Sequence, residues 1–262
     1  MLIENTLEGQ INRVEVAIER LRQFEPPEGY YLAFSGGKDS IVCYELCKMS
    51  GVKFDAHFNF TTVDPPELLR FIRENYPDVI WDRPVKTMWQ LIEEKHMPPT
   101  RIIRYCCDYL KEHGGHGRFV ITGVRSAESI RRKSYQMIHI CKQKNKKLLH
   151  LIIDWTDKDV WDFIKQKELK YCCLYDEGYK RIGCVMCPMQ NKKGMLKDAK
   201  RYPNFYRAYL KAFKRMLKII KDKKLNNTWE TEQDVMNWWI YGKDKNKNEN
   251  LLFKEEQIFN YE

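Results

Sequence analysis

Tyr30-Tyr31-Leu32-Ala33-Phe34-Ser35-Gly36-Gly37-Lys38-Asp39-Ser40 is the stretch around which the rest of the chain is organised. Five apolar residues run into a Ser-Gly-Gly turn, and a helical pattern of Ile41, Val42, Tyr44, Leu46 and Cys47 leaves it. That order predicts a buried strand, a tight glycine turn and a helix N-terminus. Glycine lets the backbone approach a bulky anion, and the N–H groups and dipole at a helix start favour negative charge. Ser35 and Ser40 add hydroxyl donors and Lys38 a point charge, with Lys38 and Asp39 read as lying on an exposed turn. Together these residues describe a phosphate cradle, distinct from the GxxxxGK[ST] loop of the common nucleotide hydrolases. The plainer alternative is an ordinary Gly-Gly turn with a serine cap.

Working outward, residues 4–23 predict a helix with Leu7, Ile11, Val14, Ile18 and Leu21 on one face, ended by Pro26-Pro27. Val52-Lys53-Phe54-Asp55-Ala56-His57-Phe58 predicts a second strand. A cap-rich turn, Thr61-Thr62-Val63-Asp64-Pro65-Pro66-Glu67, precedes a helix through Leu68, Leu69, Phe71 and Ile72. Val79-Ile80-Trp81, a helix over 88–94 and Phe119-Val120-Ile121-Thr122 continue the alternation, and His150-Leu151-Ile152-Ile153 reads as the last strand. Such alternation predicts an α/β fold, a doubly wound parallel sheet. Ligands of these sheets gather at the carboxyl ends of the strands, where the cradle lies. The expected divisions are an N-terminal helix (1–28), a nucleotide-binding domain (29–190) and a basic helical C-terminal region (191–262).

The composition narrows the partners. Of 262 residues 43% are apolar, enough for a sizeable core, and the net charge of +10 suits a polyanionic partner or a strongly anionic substrate. No apolar run of membrane-spanning length is present, so no membrane partner is expected. The first residues, MLIENTLEGQ, lack the basic-then-apolar form of a signal peptide and point to the cytoplasm. Nine cysteines in a reducing compartment point to metal or redox chemistry rather than a disulfide framework. Cys106-Cys107 and Cys184-Val185-Met186-Cys187 offer four thiolates, the complement of a cubane iron–sulfur cluster or a structural zinc. Adjacent cysteines splay their side chains, which suits a metal unit larger than one ion; unligated thiols are the third alternative.

Ser35-Gly36-Gly37-Lys38-Asp39-Ser40 after a strand resembles the PP-loop of the ATP pyrophosphatases, which cleave ATP between its α- and β-phosphates. Taken with Cys106-Cys107 and Gly178-Tyr179-Lys180-Arg181-Ile182-Gly183-Cys184-Val185-Met186-Cys187, the chain resembles the phosphoadenosine/adenosine phosphosulfate reductase family. Thr122-Gly123-Val124-Arg125 with Ser129 and Arg132 is similar to that family's anion-binding segment. Asp154-Trp155-Thr156-Asp157-Lys158-Asp159-Val160-Trp161 resembles its DWTxxDVW helix start, and Leu174-Tyr175-Asp176-Glu177-Gly178-Tyr179 its LYDxGY turn. The likeness covers about residues 30–190. It implies a PP-loop fold, a 4Fe–4S cluster on Cys106, Cys107, Cys184 and Cys187, and ATP or a sulfonucleotide with Mg2+ at Ser35, Gly36, Gly37, Lys38, Asp39 and Ser40. It further implies anion contacts from Gly123, Arg125 and Arg132, a nucleotide-side turn at Asp64, and catalytic roles for Lys38, Asp39 and Arg125.

Two departures bear on the reaction. The family's reductases carry a C-terminal nucleophilic cysteine in a segment like ECGLH, whereas no cysteine follows Cys187 here. Ser126 stands where a second arginine is usual. Cys43 and Cys47, at i and i+4, read as buried small hydrophobes. Cys172-Cys173 is either a sulfur relay or a packed pair.

The last seventy residues suggest a polyanion. A helix over 204–221 is expected to bury Phe205, Tyr209, Phe213, Leu217 and Ile220. It exposes Arg207, Lys211, Lys214, Arg215, Lys218 and Lys221, and Lys142, Lys144, Lys146 and Lys147 form another cluster. A solvated lysine face is the alternative. Trp238-Trp239 reads as packed inside rather than stacked on a base, and residues 243–250 as a polar linker. Three functions follow from these features. The first is an ATP-pyrophosphatase-type enzyme adenylating a substrate, nucleic acid by preference, for sulfur incorporation, with a cysteine desulfurase or other sulfur donor as partner. It is similar to the sulfurtransferase-type members of DNA phosphorothioation systems. The second is a sulfonucleotide reductase, and the third a non-catalytic nucleotide- or nucleic-acid-binding redox sensor.

Overall fold

The computed structural model describes the backbone of residues 2–6, 9–141 and 145–242; Lys142, Lys144 and the expected linker at 243–250 lie outside them. The strands are β1 (Ile3–Thr6), β2 (Gly9–Asn12), β3 (Tyr30–Ala33), β4 (Phe54–Asn59), β5 (Ile80–Asp82), β6 (Phe119–Thr122), β7 (Ile138–Cys141) and β8 (Lys146–His150). The helices are α1 (Arg13–Gln23), α2 (Lys38–Ser50), α3 (Pro66–Asn75), α4 (Met88–Lys95), α5 (Tyr105–Leu110), α6 (Asp157–Gln166), α7 (Lys192–Arg201), α8 (Pro203–Asp222) and α9 (Glu232–Tyr241). They form two compact units interleaved along the chain. The first takes Met1–Phe60, Pro66–Arg83 and Glu112–Ile182, and the second Thr61–Pro65, Pro84–Lys111 and Gly183 onward. These compact units interleave along the chain and do not follow the linear order of the expected divisions.

In the first unit the sheet order is β5-β4-β3-β6-β8-β7. Every neighbouring pair is parallel except β7 with β8, which is antiparallel. The chain steps outward from β3 to β4 and β5, then returns to the other side of β3 for β6. That reversal opens a crevice beyond the carboxyl end of β3, where the Ser-Gly-Gly turn sits. Leu32, Ile41, Leu46, Ile72, Trp155 and Phe163 are buried in one core between this sheet and its helices. Each such side chain contributes about 1.5–3 kcal/mol by leaving water. Cys43 and Cys47 are buried in the same core, as small hydrophobes.

Three expectations change. The N-terminal helix begins at Arg13, not residue 4, because β1 (Ile3–Thr6) and β2 (Gly9–Asn12) pair as antiparallel strands before it. The Asn12 side chain caps α1 by accepting from the Val14 N–H at 3.1 Å. Of the expected apolar face Leu21 is buried and Val14 and Ile18 pack against the core, while Ile11 is exposed and Leu7 lies outside the described residues. The last parallel strand ends at His150 instead of starting there. Leu151, Ile152 and Ile153 are a buried turn whose backbone is held by Arg20, donating to the Leu151 carbonyl at 3.1 Å. Lys146 and Lys147, expected in a surface cluster, begin that strand: Lys146 is buried and its Nζ donates to the Glu112 carbonyl at 2.6 Å. The antiparallel edge strand β7 carries too short and mixed a pattern to stand out in the sequence.

The second unit packs α4, α5 and α7–α9 around its own core. α8 buries Tyr206, Tyr209, Ala212, Phe213, Met216 and Ile220, a three-to-four-residue spacing that keeps one face inward. Phe205 and Leu217, expected inside, are half-buried at the edge of that stripe. Arg207, Lys211, Lys214, Arg215, Lys218 and Lys221 are all exposed, and Arg215 pairs with Glu93 on α4 at 2.5 Å. Trp239 is buried and donates from Nε1 to the Pro99 carbonyl at 2.6 Å; Trp238 packs edge-on to Trp229. No helix among the described residues is long and apolar enough to cross a membrane.

Candidate active site

The cradle keeps its shape through its own hydroxyls. Ser40 Oγ donates to the Gly37 carbonyl at 2.8 Å and accepts from the Ser35 N–H at 3.2 Å, and the two serine hydroxyls lie 3.1 Å apart. Gly36 adopts φ +68°, and a Cβ there would meet Leu68 and Ile72 at 2.7–2.8 Å, so the turn excludes any other residue. Gly37 sits at the N-cap of α2 with no side chain to occupy the helix start. The Lys38 N–H instead donates to the Tyr175 hydroxyl at 2.9 Å, which burial keeps protonated. Gly123 serves packing: a Cβ would lie 2.9 Å from Asp39 Cβ, so glycine lets β6 approach the start of α2.

The charged residues form a closed network. Lys38, only 5% exposed rather than on an open turn, places Nζ 3.0 Å from Asp157 and 3.4 Å from Asp39. Arg125 is buried; Nε donates to Asp39 at 2.7 Å, Nη2 to Asp157 at 3.0 Å and Nη1 to the Trp155 carbonyl at 3.4 Å. Two cations and two carboxylates thus hold one another at the helix start. Burial pushes the Asp157 carboxyl up, but Lys38 and Arg125 together outweigh it and hold the group below its usual range. Asp157 is also the exchangeable member, since 65% of its side chain is exposed. Its place in the network is not legible in the sequence, where it reads as a first-turn acid behind the Thr156 cap. Tyr175 likewise reads there only as part of a turn.

Arg132 stands on the same side of the unit, paired with Glu128. Burial, with repulsion from Arg181, lowers its affinity for a proton, so Arg181 joins the cationic group. His150 lies beside them, within 2.7 Å of the Thr122 hydroxyl and stacked on Tyr135. Burial pushes its imidazole down to about 4, with His139 and Arg132 adding to the effect. Neutral in the fold, His150 takes up a proton near 6.5 only once the chain unfolds. Its stability contribution is therefore complete above that pH and is lost as pH falls from about 6.5 to about 4. Urea titrations at about pH 7.5 and about pH 4.5 check this: the native protein loses roughly 2 kcal/mol more than His150→Gln. Equal losses would remove the effect.

The cysteine group belongs to the second unit. Cys106 and Cys107 open α5, and Cys106 and Cys184 are buried while Cys107 and Cys187 are half-buried. The neighbouring Cys106 thiol holds Cys107 below the ordinary thiol range, and Arg104 reinforces it. Burial pushes the Cys184 thiol up against the attraction of Lys111, whose own proton is held chiefly by Cys184. Cys184 contacts the Thr61 hydroxyl at 3.4 Å, and the Val185 N–H donates to the Val63 carbonyl at 2.8 Å. Met186 adopts φ +56°, its N–H held by buried Asp198 at 2.9 Å. Arg101 pins the following turn through the Pro188, Met189 and Gln190 carbonyls at 3.0, 3.4 and 2.7 Å.

Asp64 is buried in this unit. Its carboxylate accepts from the Thr61 N–H at 2.7 Å, and burial pushes its carboxyl up. The four cysteines are electrostatic neighbours of one another, yet no three His, Cys, Asp or Glu side chains among the described residues converge on one metal-ion position.

A mostly parallel α/β sheet with a Gly-rich turn at its switch point is the architecture of the PP-loop fold. Residues 29–190 match the phosphoadenosine phosphosulfate reductase domain, and the chain belongs to that family. It is 28% identical over 189 residues to an uncharacterized protein of Methanocaldococcus jannaschii, an overlap of 67% of this chain and 39% of that one. It is 27% identical over 176 residues to adenosine 5'-phosphosulfate reductase 2 of Bacillus subtilis, covering 60% and 71%. The chain spans less than half the length of that Methanocaldococcus relative and of a second one, at 39% and 47%. The crystal structure of a phosphoadenylyl-sulfate reductase from Candida auris shares the fold, with TM-score 0.50 and 17% identity over 68% of this chain and 90% of that one.

Proposed function

We propose that this protein cleaves ATP between its α- and β-phosphates and adenylates an oxygen of a nucleic acid, so that sulfur can replace it. The observation that carries the reading is the one-sided cation face of α8, where five exposed charges, Arg207, Lys211, Lys214, Lys218 and Lys221, back onto a wholly buried stripe. A small substrate has no use for a positive face of this length, whereas a phosphate backbone does.

At the cradle, an incoming phosphate competes with Asp157 for Lys38 and Arg125. The exposed Asp157 yields, and Lys38, Arg125 and the turn's N–H groups then stabilise charge on the departing pyrophosphate. Asp39 stays bound to Arg125 and keeps the guanidinium aimed. Mg2+ supplies charge neutralisation on substrate phosphates and needs only one or two carboxylates, for which Asp39 and Asp157 suffice. Cys106, Cys107, Cys184 and Cys187 would suit a 4Fe–4S cluster, since they bring four thiols, the complement of such a cluster, into one unit. When bound, it supplies electron-transfer chemistry.

Release of pyrophosphate from α-labelled ATP tests the reading. A second reading, sulfonucleotide reduction, is favoured by the likeness to the Bacillus subtilis protein, and it predicts sulfite from adenosine phosphosulfate with no pyrophosphate. The nucleic-acid partner has its own test. Binding of a mixed-sequence oligonucleotide weakens steeply with salt, and changing Lys211, Lys214 and Lys218 together to Gln flattens the log–log slope by about 2–3 units. An unchanged slope reduces the α8 charges to a solvated face.

A further inference from the structure

Cys172 and Cys173 are adjacent, yet the structure separates their environments. Cys172 is 1% exposed within the apolar core, and Cys173 faces solvent. The two thiols nonetheless lie within electrostatic reach of each other. Cys173 opens the 3-10 turn Cys173–Tyr175, whose third residue accepts a hydrogen bond at its hydroxyl from the Lys38 N–H of the cradle. The Tyr175 phenol lies within electrostatic reach of Asp39, Cys172 and Arg181 together, which puts the thiol pair beside the phosphate site. Buried Leu174 anchors the turn, and Trp161 packs edge-on to Tyr175 at 5.2 Å. An exposed nucleophile thus stands over a buried partner on a fixed turn next to the cradle, and nothing in nucleotide binding uses either thiol.

We propose that this pair is a sulfur-carrying dithiol, in which Cys173 accepts sulfane sulfur from a persulfide and Cys172 expels it in reduced form. The proposal deepens the sulfur-incorporation reading and rests on it. Replacing oxygen requires sulfur at the sulfide level, while a persulfide carries sulfur two electrons more oxidised, so two electrons must come from thiols. The Cys173 thiolate attacks the outer sulfur of the donor persulfide, the donor's S–S bond breaks, and the donor leaves as a thiolate. Cys173 now bears the extra sulfur. Cys172 then attacks Cys173 Sγ, the outer S–S bond breaks, and sulfur departs with the electron pair and the Cys172 proton as hydrogen sulfide. A Cys172–Cys173 disulfide remains, and an external dithiol resets it. Burial pushes the Cys172 thiol up to about 11, so it keeps its proton until that second step.

The test uses the full chain, anaerobic and without ATP, with glutathione persulfide as the probe. Peptide mass mapping should find one added sulfur on Cys173 and, after release, a cross-linked Cys172–Cys173 peptide lacking two hydrogens, with one hydrogen sulfide per chain. Cys172→Ser should hold the added sulfur on Cys173 and release hydrogen sulfide about 100-fold more slowly, the advantage of a neighbouring thiol. Cys173→Ser should take up no sulfur at this peptide, while Cys43→Ser behaves as the native protein. Sulfur found on other cysteines, full loading of Cys173→Ser, or disulfide formation without hydrogen sulfide would each overturn the proposal. Because ATP is absent, failure here is distinct from failure of the adenylation reading, which shows as no pyrophosphate release.

Discussion

Lys38→Met lowers pyrophosphate release from α-labelled ATP by about 10²–10³-fold, the scale of removing one preorganised contact to developing charge. Methionine is the informative replacement because Lys38 is 5% exposed and its stem packs against neighbours. Alanine would open a gap as well as delete the charge. Arg125 remains to hold Asp39 and Asp157, so circular dichroism and the urea midpoint should stay close to those of the native protein. Asp39→Ala should act by a different route, freeing Nε of Arg125 from its 2.7 Å partner and misaiming the guanidinium. Turnover that survives both changes in folded protein would mean that the cradle does not hold the reacting phosphates.

On the cluster proposal, anaerobically prepared native protein should be brown with about four irons per chain, and Cys184→Ser should lose most of that iron. Cys184 is buried and tied to Thr61, and serine there offers a poorer ligand to an iron site with no solvent to replace it. Cys43→Ser is the matched control, equally buried but in the core of the other unit, and should keep the full iron content. Iron analysis and the visible absorption band decide the outcome. A colourless native protein with a single zinc would end the cluster proposal.

The sequence made the cradle and its strand legible because their signal is local: an apolar run, two glycines and a capped helix within about a dozen residues. It also exposed α4 and α8 through their apolar spacing, and the start of α6 through its likeness to the family's motif. What it hid depends on distance along the chain. Asp157 reads as a helix-start acid until Arg125 and Lys38, 32 and 119 residues earlier, are seen to converge on it. Arg125 itself is readable as a cation, but its carboxylate partners are not, since the sheet order sets them rather than its neighbours in sequence. The strand pair β1–β2 reads as helix because Ile11 falls in register with the true helix that begins at Arg13. Lys146 shows the opposite error, a charge assumed to be wet whose ammonium is satisfied by the Glu112 carbonyl.

The interleaving of the two units sets an order of events on the ribosome. By Ile182 every residue of the first unit has been synthesised, whereas the second holds only Thr61–Pro65 and Pro84–Lys111. Met88, Leu91 and Ile92 of α4 therefore emerge with their apolar face uncovered, waiting for Tyr209, Phe213 and Met216 more than a hundred residues later. A nascent chain in that interval offers a greasy helix to chaperones, and pairs of thiols whose partners have yet to leave the exit tunnel. The four cysteines first stand together in one chain after Cys187 clears the tunnel. The charged face of α8 appears later still, when the cysteine unit is almost complete.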